Sequence, residues 1–141
     1  QCTRAIEDWQ AYLKVVADDA ETLYRIGLAH LQMEEYDKAL DHLNKAIKFD
    51  GKFGAAYFQR ANIYSLQKKY PQAAEDYTKA IEFGSGLDIC YFNRGIAYIS
   101  TNRAKEGISD LEKVLQISEN EVLLEESQKM LKLVIDGKKR E

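Results

Sequence analysis

One pattern recurs three times at a spacing of 34 residues, beginning at Ala20, Gly54 and Asp88, and it constrains the fold more than any other property of the chain. Superposed copies align Leu23 with Tyr57 and Tyr91, Gly27 with Ala61 and Gly95, Ala39 with Ala73 and Gly107, Leu43 with Tyr77 and Leu111, and Ala46 with Ala80 and Val114. The register never slips. Self-similarity at such a period marks a stacked architecture in which no single repeat can bury its apolar face alone.

Each copy resolves into two helices. Leu23, Ile26, Gly27 and His30 fall at i, i+3, i+4 and i+7, one stripe of a 3.6-residue helix, and Ala39, Leu43 and Ala46 make a second stripe. Residues 33–36 leave room only for a turn, so the two helices must fold back as an antiparallel pair. Pro71 falls in the first turn of its second helix, where a missing N–H costs nothing. A mid-helix Gly costs about 1 kcal/mol relative to Ala, so Gly27 and Gly95 predict close approach of the partner helix. Gly107 stands where the other copies have Ala, which predicts that the third repeat is the softest.

The ends differ. Projecting the period backwards puts Ala5 and Trp9 where Ala39 and Leu43 stand, so residues 2–16 read as the second helix of an incomplete repeat. Ile6 and Trp9 would then form an open-edge interface. The chain opens at Gln1 rather than Met, and further residues are expected upstream. At the other end, Leu123, Leu124, Met130, Leu131, Val134 and Ile135 make one stripe, while Glu125, Lys129, Lys132 and Asp136 point away. That predicts a capping helix over residues 121–136, with Ser118 and Glu121 at capping-box spacing and Gly137 as its stop. Residues 1–141 read as one domain, with repeats at 20–53, 54–87 and 88–121.

The segments 91–98 (YFNRGIAY) and 73–81 (AAEDYTKAI) carry a recognisable order of large, small and aromatic residues over 34 positions. In these the chain resembles the tetratricopeptide repeat family. Gly51, Ser85 and Glu119 replace the proline usual after the second helix, which affects the loop and not the fold. The resemblance implies an all-α protein, a right-handed superhelix of antiparallel helix pairs whose concave wall is built by first helices. It places a partner-binding groove at Tyr24, Arg25, Leu28, Phe58, Gln59, Asn62, Ile89, Phe92, Asn93 and Ile96. Tyr24, Phe58 and Phe92 would form an aromatic rail, with amides beside it that can bond a peptide backbone.

The residue inventory argues against catalysis. His30 and His42 are the only histidines and have no spacing suited to a metal site, and Cys90 has no companion His or Cys. Residues 84–86 (GSG) follow no strand and precede no Gly-Lys-Ser, so phosphate cradling is not expected. His30 takes the family's usual Tyr position and is expected to be buried with its hydrogen bonds satisfied. No enzyme activity, cofactor or metal is expected. A net charge of −3, with one basic cluster at residues 138–140, offers no field for nucleic acid or anionic membrane. Cys2 and Cys90 lie two repeats apart, beyond disulfide reach, which together with the lack of an apolar span suggests the cytoplasm.

Arg60 and Arg94 stand where the first copy has Ile26, and Asp76 and Asp110 stand where it has His42. The substitutions go together, which predicts ion pairs Arg60–Asp76 and Arg94–Asp110. The function expected is a non-enzymatic scaffold that holds a partner's apolar or amphipathic peptide or helix, within a larger repeat protein. The alternative is a structural module that homo-oligomerises through the N-terminal edge. Family members that clamp acidic chaperone tails use lysines, asparagines and an arginine, and the corresponding positions here are Tyr24, Leu28, Gln59, Ile89 and Asn93. None is basic, so a chaperone tail is not the expected partner.

Overall fold

Residues 2–15 and 19–139 are described by the computed structural model, with side chains described for 2–10 and 19–137. Residue 16 of the first predicted helix, and the side chains of the basic cluster at 138–140, lie outside this set. Among the described residues there are eight helices and no strand: α1 (Cys2–Val15), α2 (Ala20–Gln32), α3 (Tyr36–Phe49), α4 (Gly54–Leu66), α5 (Tyr70–Glu82), α6 (Leu87–Ser100), α7 (Ala104–Ile117) and α8 (Glu121–Lys139). Each packs on the next in sequence, most extensively within the pairs α2/α3, α4/α5 and α6/α7. The result is an α-solenoid.

The turns inside these pairs share one backbone geometry. Glu34, Lys68 and Asn102, spaced by the same 34 residues, adopt φ of 59°, 61° and 62°. The following amide closes each turn on the preceding helix: Glu35 N–H on His30 O (2.9 Å), Lys69 on Tyr64 O (2.8 Å) and Arg103 on Tyr98 O (2.8 Å). None of the three is glycine, so the chain carries left-handed backbone without the residue that adopts it most cheaply. The turns between pairs vary, with Gly84 and Gly86 at positive φ in only one of them. Asp19 caps α2, accepting from the Thr22 N–H at 2.7 Å.

The aligned stripe residues form the core: Ala39, Leu43, Ala46, Ala73, Ala80, Leu111 and Val114 are fully buried. The crossings within pairs are tight. A Cβ on Gly27 would lie 3.1 Å from Leu43 Cγ, and one on Gly95 would lie 3.1 Å from Gly107 O. A Cβ on Gly107 would come within 2.5 Å of Ile99 Cγ1 and 2.8 Å of Gly95 O. Gly107 therefore does more than lower helix propensity, since it lets α6 and α7 meet backbone to backbone.

Four expectations about the ends need correction. Helix α8 runs through Gly137 to Lys139 rather than stopping at 136, because Gly137 closes no left-handed turn and stays helical. Asn120, not Ser118, caps α8: its Oδ1 accepts from the Leu123 N–H at 3.1 Å, while Ser118 Oγ donates to Asp88 Oδ2 at 2.8 Å. Ile135 is exposed, and the buried line of α8 is Leu123, Ser127 and Leu131. Ile6 is not on an open edge. It is 5% exposed and packs on Ile26 and Ala29 of α2. It sits one residue, or about 100° of helix rotation, from Ala5, so it faces the next helix. Trp9, an i+4 neighbour of Ala5, is half-buried.

Candidate functional site

The first helices α4 and α6 stand side by side and, with α5 behind them, enclose an open cleft of about 440 Å³. Three of the predicted groove residues line it: Asn62, Asn93 and Ile96. Ser65, which holds a groove-lining position in the second copy, completes the wall with Leu66, Tyr70, Tyr77 and Ala97, which the sequence did not mark as groove residues. Asn62 Oδ1 is the hub, accepting from Tyr77 Oη at 2.5 Å and from Asn93 Nδ2 at 3.4 Å. Burial pushes the Tyr77 phenol above its ordinary range, so it remains a protonated donor at neutral pH. With its oxygen engaged, Asn62 has its NH₂ to offer, and Asn93 its carbonyl. The cleft is thus an apolar trough with one amide donor and one amide acceptor at its floor.

Tyr77 was legible only in part. It aligns with Leu43 and Leu111 as a core residue, and its hydroxyl is the one polar group in that column. That group needs a partner when 1% exposed, and the partner is Asn62.

The remaining predicted residues do not join this cleft. Arg25 and Leu28 line a second one, of about 330 Å³, with Trp9, Ala5, Cys2, Ala29 and Gln32. Arg25 Nε bonds Glu21 Oε1 at 2.9 Å, which offsets the lone base of the groove. The second cleft places Trp9, predicted on a separate edge, beside groove residues. Tyr24, Phe58, Gln59, Ile89 and Phe92 are half-buried and line neither cleft. The aromatic rail is rooted in the core, Tyr24 against Phe53 (ring centroids 4.9 Å) and Phe58 against Tyr77 (6.1 Å).

Away from these clefts the arginines act as staples. Arg60 forks onto Asp76 through Nε (2.7 Å) and Nη2 (2.8 Å), and Arg94 onto Asp110 through Nε (2.8 Å) and Nη2 (2.7 Å). Each has a third bond to the preceding second helix: Arg60 Nη1 to Asn44 Oδ1 (2.9 Å), Arg94 Nη1 to Thr78 Oγ1 (3.1 Å). The hydrogen-bonded aspartates hold both guanidinium groups above their ordinary pKa. Tyr57 and Tyr64 lie against Arg60, and Tyr91 and Tyr98 against Arg94, at 5.3–5.9 Å. The first repeat has Ile26, His30 and His42 instead, with the two imidazoles 5.1 Å apart. His30 is buried, but only Nδ1 has a contact, 3.4 Å from Glu35 Oε1, and Nε2 has no partner. Its expected full satisfaction is corrected, because the imidazole is shorter than the Tyr it replaces.

The Cys90 thiol donates to Ser85 O at 3.1 Å, and burial pushes it up to about 12, which suits an inert side chain. Among the described residues no three His, Cys, Asp or Glu side chains gather as metal ligands, and no helix is long and apolar enough to cross a membrane.

One family model described as the tetratricopeptide repeat matches residues 20–53 and 54–83, and a second matches residues 90–121. The chain belongs to the tetratricopeptide repeat family. No curated protein sequence matches it, but solved structures do. It is similar to MamA, with 26% identity, 82% of this chain and 67% of that one covered, and a TM-score of 0.76. The TPR domain of Arabidopsis OM64 shares 27% identity over 80% of this chain and 93% of that one, with a TM-score of 0.72. The first TPR of Spaghetti (RPAP3), solved with the HSP90 peptide SRMEEVD, shares 24% identity over 84% of this chain and 91% of that one, with a TM-score of 0.75. Fold and family are those of a protein–protein interaction scaffold.

Proposed function

We propose that this TPR chain holds a partner's peptide or amphipathic helix in the groove built by α2, α4 and α6, and that it does so without catalysis. The amide-floored cleft between α4 and α6 carries the reading: Asn62 and Asn93 present one donor and one acceptor to any peptide backbone, while Leu66, Ile96 and Ala97 take up an apolar side chain. The peptide held by the Spaghetti TPR adds support for this use of the fold. The partner differs from that acidic tail. The groove's one predicted base, Arg25, is already paired with Glu21, so a free carboxylate has no cation to meet. Two unpaired cysteines suit a reducing compartment such as the cytoplasm.

Selection from a random peptide library displayed on phage tests this. Enriched peptides should be apolar and should lose binding to the Asn93→Ala/Ile96→Asp chain while its melting temperature holds. Equal binding to that variant would overturn the assignment. The peptide SRMEEVD should bind no better than its carboxy-amidated form. Asn62 is the wrong site to mutate, since its loss strands the buried Tyr77 hydroxyl.

A further inference from the structure

Charge is sorted along the stack in a way the linear sequence conceals. Successive helices run antiparallel across short turns, so the turns inside the three pairs lie along one edge. On that edge, residues 33–38 of the first copy have Glu34, Glu35 and Asp37 against a single base, Lys38, which is already bonded to Glu35 Oε2 at 2.8 Å. At the same register of the next two copies the sign reverses. Lys68 and Lys69 stand where the first copy has Glu34 and Glu35, and Arg103 and Lys105 stand where it has Glu35 and Asp37. All four bases are exposed, and among the described residues only Arg103 has an ion pair, with Glu106 at 3.4 Å.

This basic stretch borders the amide-floored cleft. Leu66 and Tyr70 line the cleft and flank residues 67–69, and the Lys68 N–H donates to the carbonyl of Ser65, another lining residue, at 3.0 Å. Arg103 lies over the Tyr98 ring at 4.4 Å and shares a surface hollow of about 550 Å³ with Pro71, which brings it beside the same turn. On the opposite edge the α5/α6 turn, residues 82–88, has Glu82 and Asp88 and no base. We propose that the segment held in this cleft is an apolar anchor joined directly to a run of acidic residues, with the anchor seated between Asn62 and Ile96 and the acids laid over Lys68, Lys69 and Arg103. It rests on the groove reading of the cleft and extends it past the rim. Complementary charge at an exposed rim acts mainly on orientation and choice of partner, and the acidic turn of the first copy and the α5/α6 turn repel the same run. The acids are therefore confined to one end of the bound segment. That favours a peptide over a nucleic acid, whose phosphates recur along its whole length and would meet the acidic turns as well. No terminal carboxylate is required, because these bases stand on turns and not at the groove positions, where Arg25 is paired with Glu21.

The probe is a random peptide library displayed on phage, selected in parallel on the native chain and on the Lys68→Glu/Lys69→Glu chain. These substitutions copy the Glu34-Glu35 turn of the first copy, where Glu34 has the same left-handed backbone as Lys68, so the fold should hold. Peptides enriched on the native chain should join apolar residues to Asp or Glu, and those enriched on the variant should keep the apolar residues and lose the acids. The most enriched native-chain peptide, synthesised with an amidated end, should bind the variant at least about tenfold more weakly. Its affinity for the native chain should fall as salt rises from about 50 to 500 mM, and that of its Asp→Asn/Glu→Gln analogue should not. Enrichment of apolar peptides without acids on the native chain would overturn the proposal and leave the groove reading intact. Acidic peptides that bind both chains alike would overturn it as well. No enrichment, or binding indifferent to Asn93→Ala/Ile96→Asp, would overturn the groove reading and this proposal together. An oligothymidine that binds the native chain as tightly as the peptide, and not the variant, would assign the edge to nucleic acid and overturn it equally.

Discussion

Arg94 and Asp110 are 17% and 6% exposed, so the pair sits largely out of water and its members depend on each other. Arg94→Met should cost about 3 kcal/mol in urea unfolding, because it leaves the aspartate buried and uncompensated, and adding Asp110→Leu should recover most of the loss. Two glycine substitutions should move stability in opposite directions. Gly107→Ala gains helix propensity but drives its Cβ to 2.8 Å from the Gly95 carbonyl, a backbone atom that cannot step aside, so a net loss of about 1–3 kcal/mol is expected. Gly137→Ala meets nothing within 4 Å and should raise the melting temperature through a gain of about 0.5–1 kcal/mol. Cys90 supplies a pH dependence. Its folded pKa of about 12 lies above its usual 9.0, so its contribution is complete below pH 9 and is lost as pH climbs toward 12. Burial raises Tyr24 and Tyr77 as well, in the same direction. The urea midpoint should therefore fall between pH 9 and 11, less steeply for Cys90→Ala.

At the scale of elements, the helix pairs and their order follow from the 3.6-residue stripes, because a stripe repeated in register can be buried only one way. Their ends follow less well. Sequence spacing favoured Ser118 as a cap and Gly137 as a stop, but Ser118 has Asp88 to bond and Asn120 is better placed for the Leu123 amide. Left-handed backbone at Glu34, Lys68 and Asn102 was not legible either, since tertiary pairing of the helices imposes the turn whatever residue occupies it. Lys68 is exposed, and Lys68→Gly should relieve its φ of 61°. The expected net gain is about 0.5–1 kcal/mol, after the higher entropy of the unfolded chain, read as a raised urea midpoint.

Across the whole molecule each helix contacts mainly its sequence neighbours, so stability is a sum of nearest-neighbour terms and the ends have the fewest. Amide hydrogen exchange should be slowest in α4 and α5 and fastest in α1 and the end of α8. Equal protection along the chain would count against this. The 34-residue period alone determined the stacked helix pairs, the small-residue crossings and the Arg–Asp partnerships, because the first two are local rules repeated in three copies and the third recurs in two, and repetition makes a local rule visible. Only the tertiary structure decided which groove residues meet: Asn62 and Asn93 with Tyr77 in one cleft, Arg25 and Leu28 with Trp9 in another, and Tyr24 and Phe58 drawn into the core. The reason is physical. Periodicity gives the face of the helix on which a side chain sits, but how deeply a half-exposed side chain sinks, and what it bonds there, depends on helices that are distant in sequence and close in space.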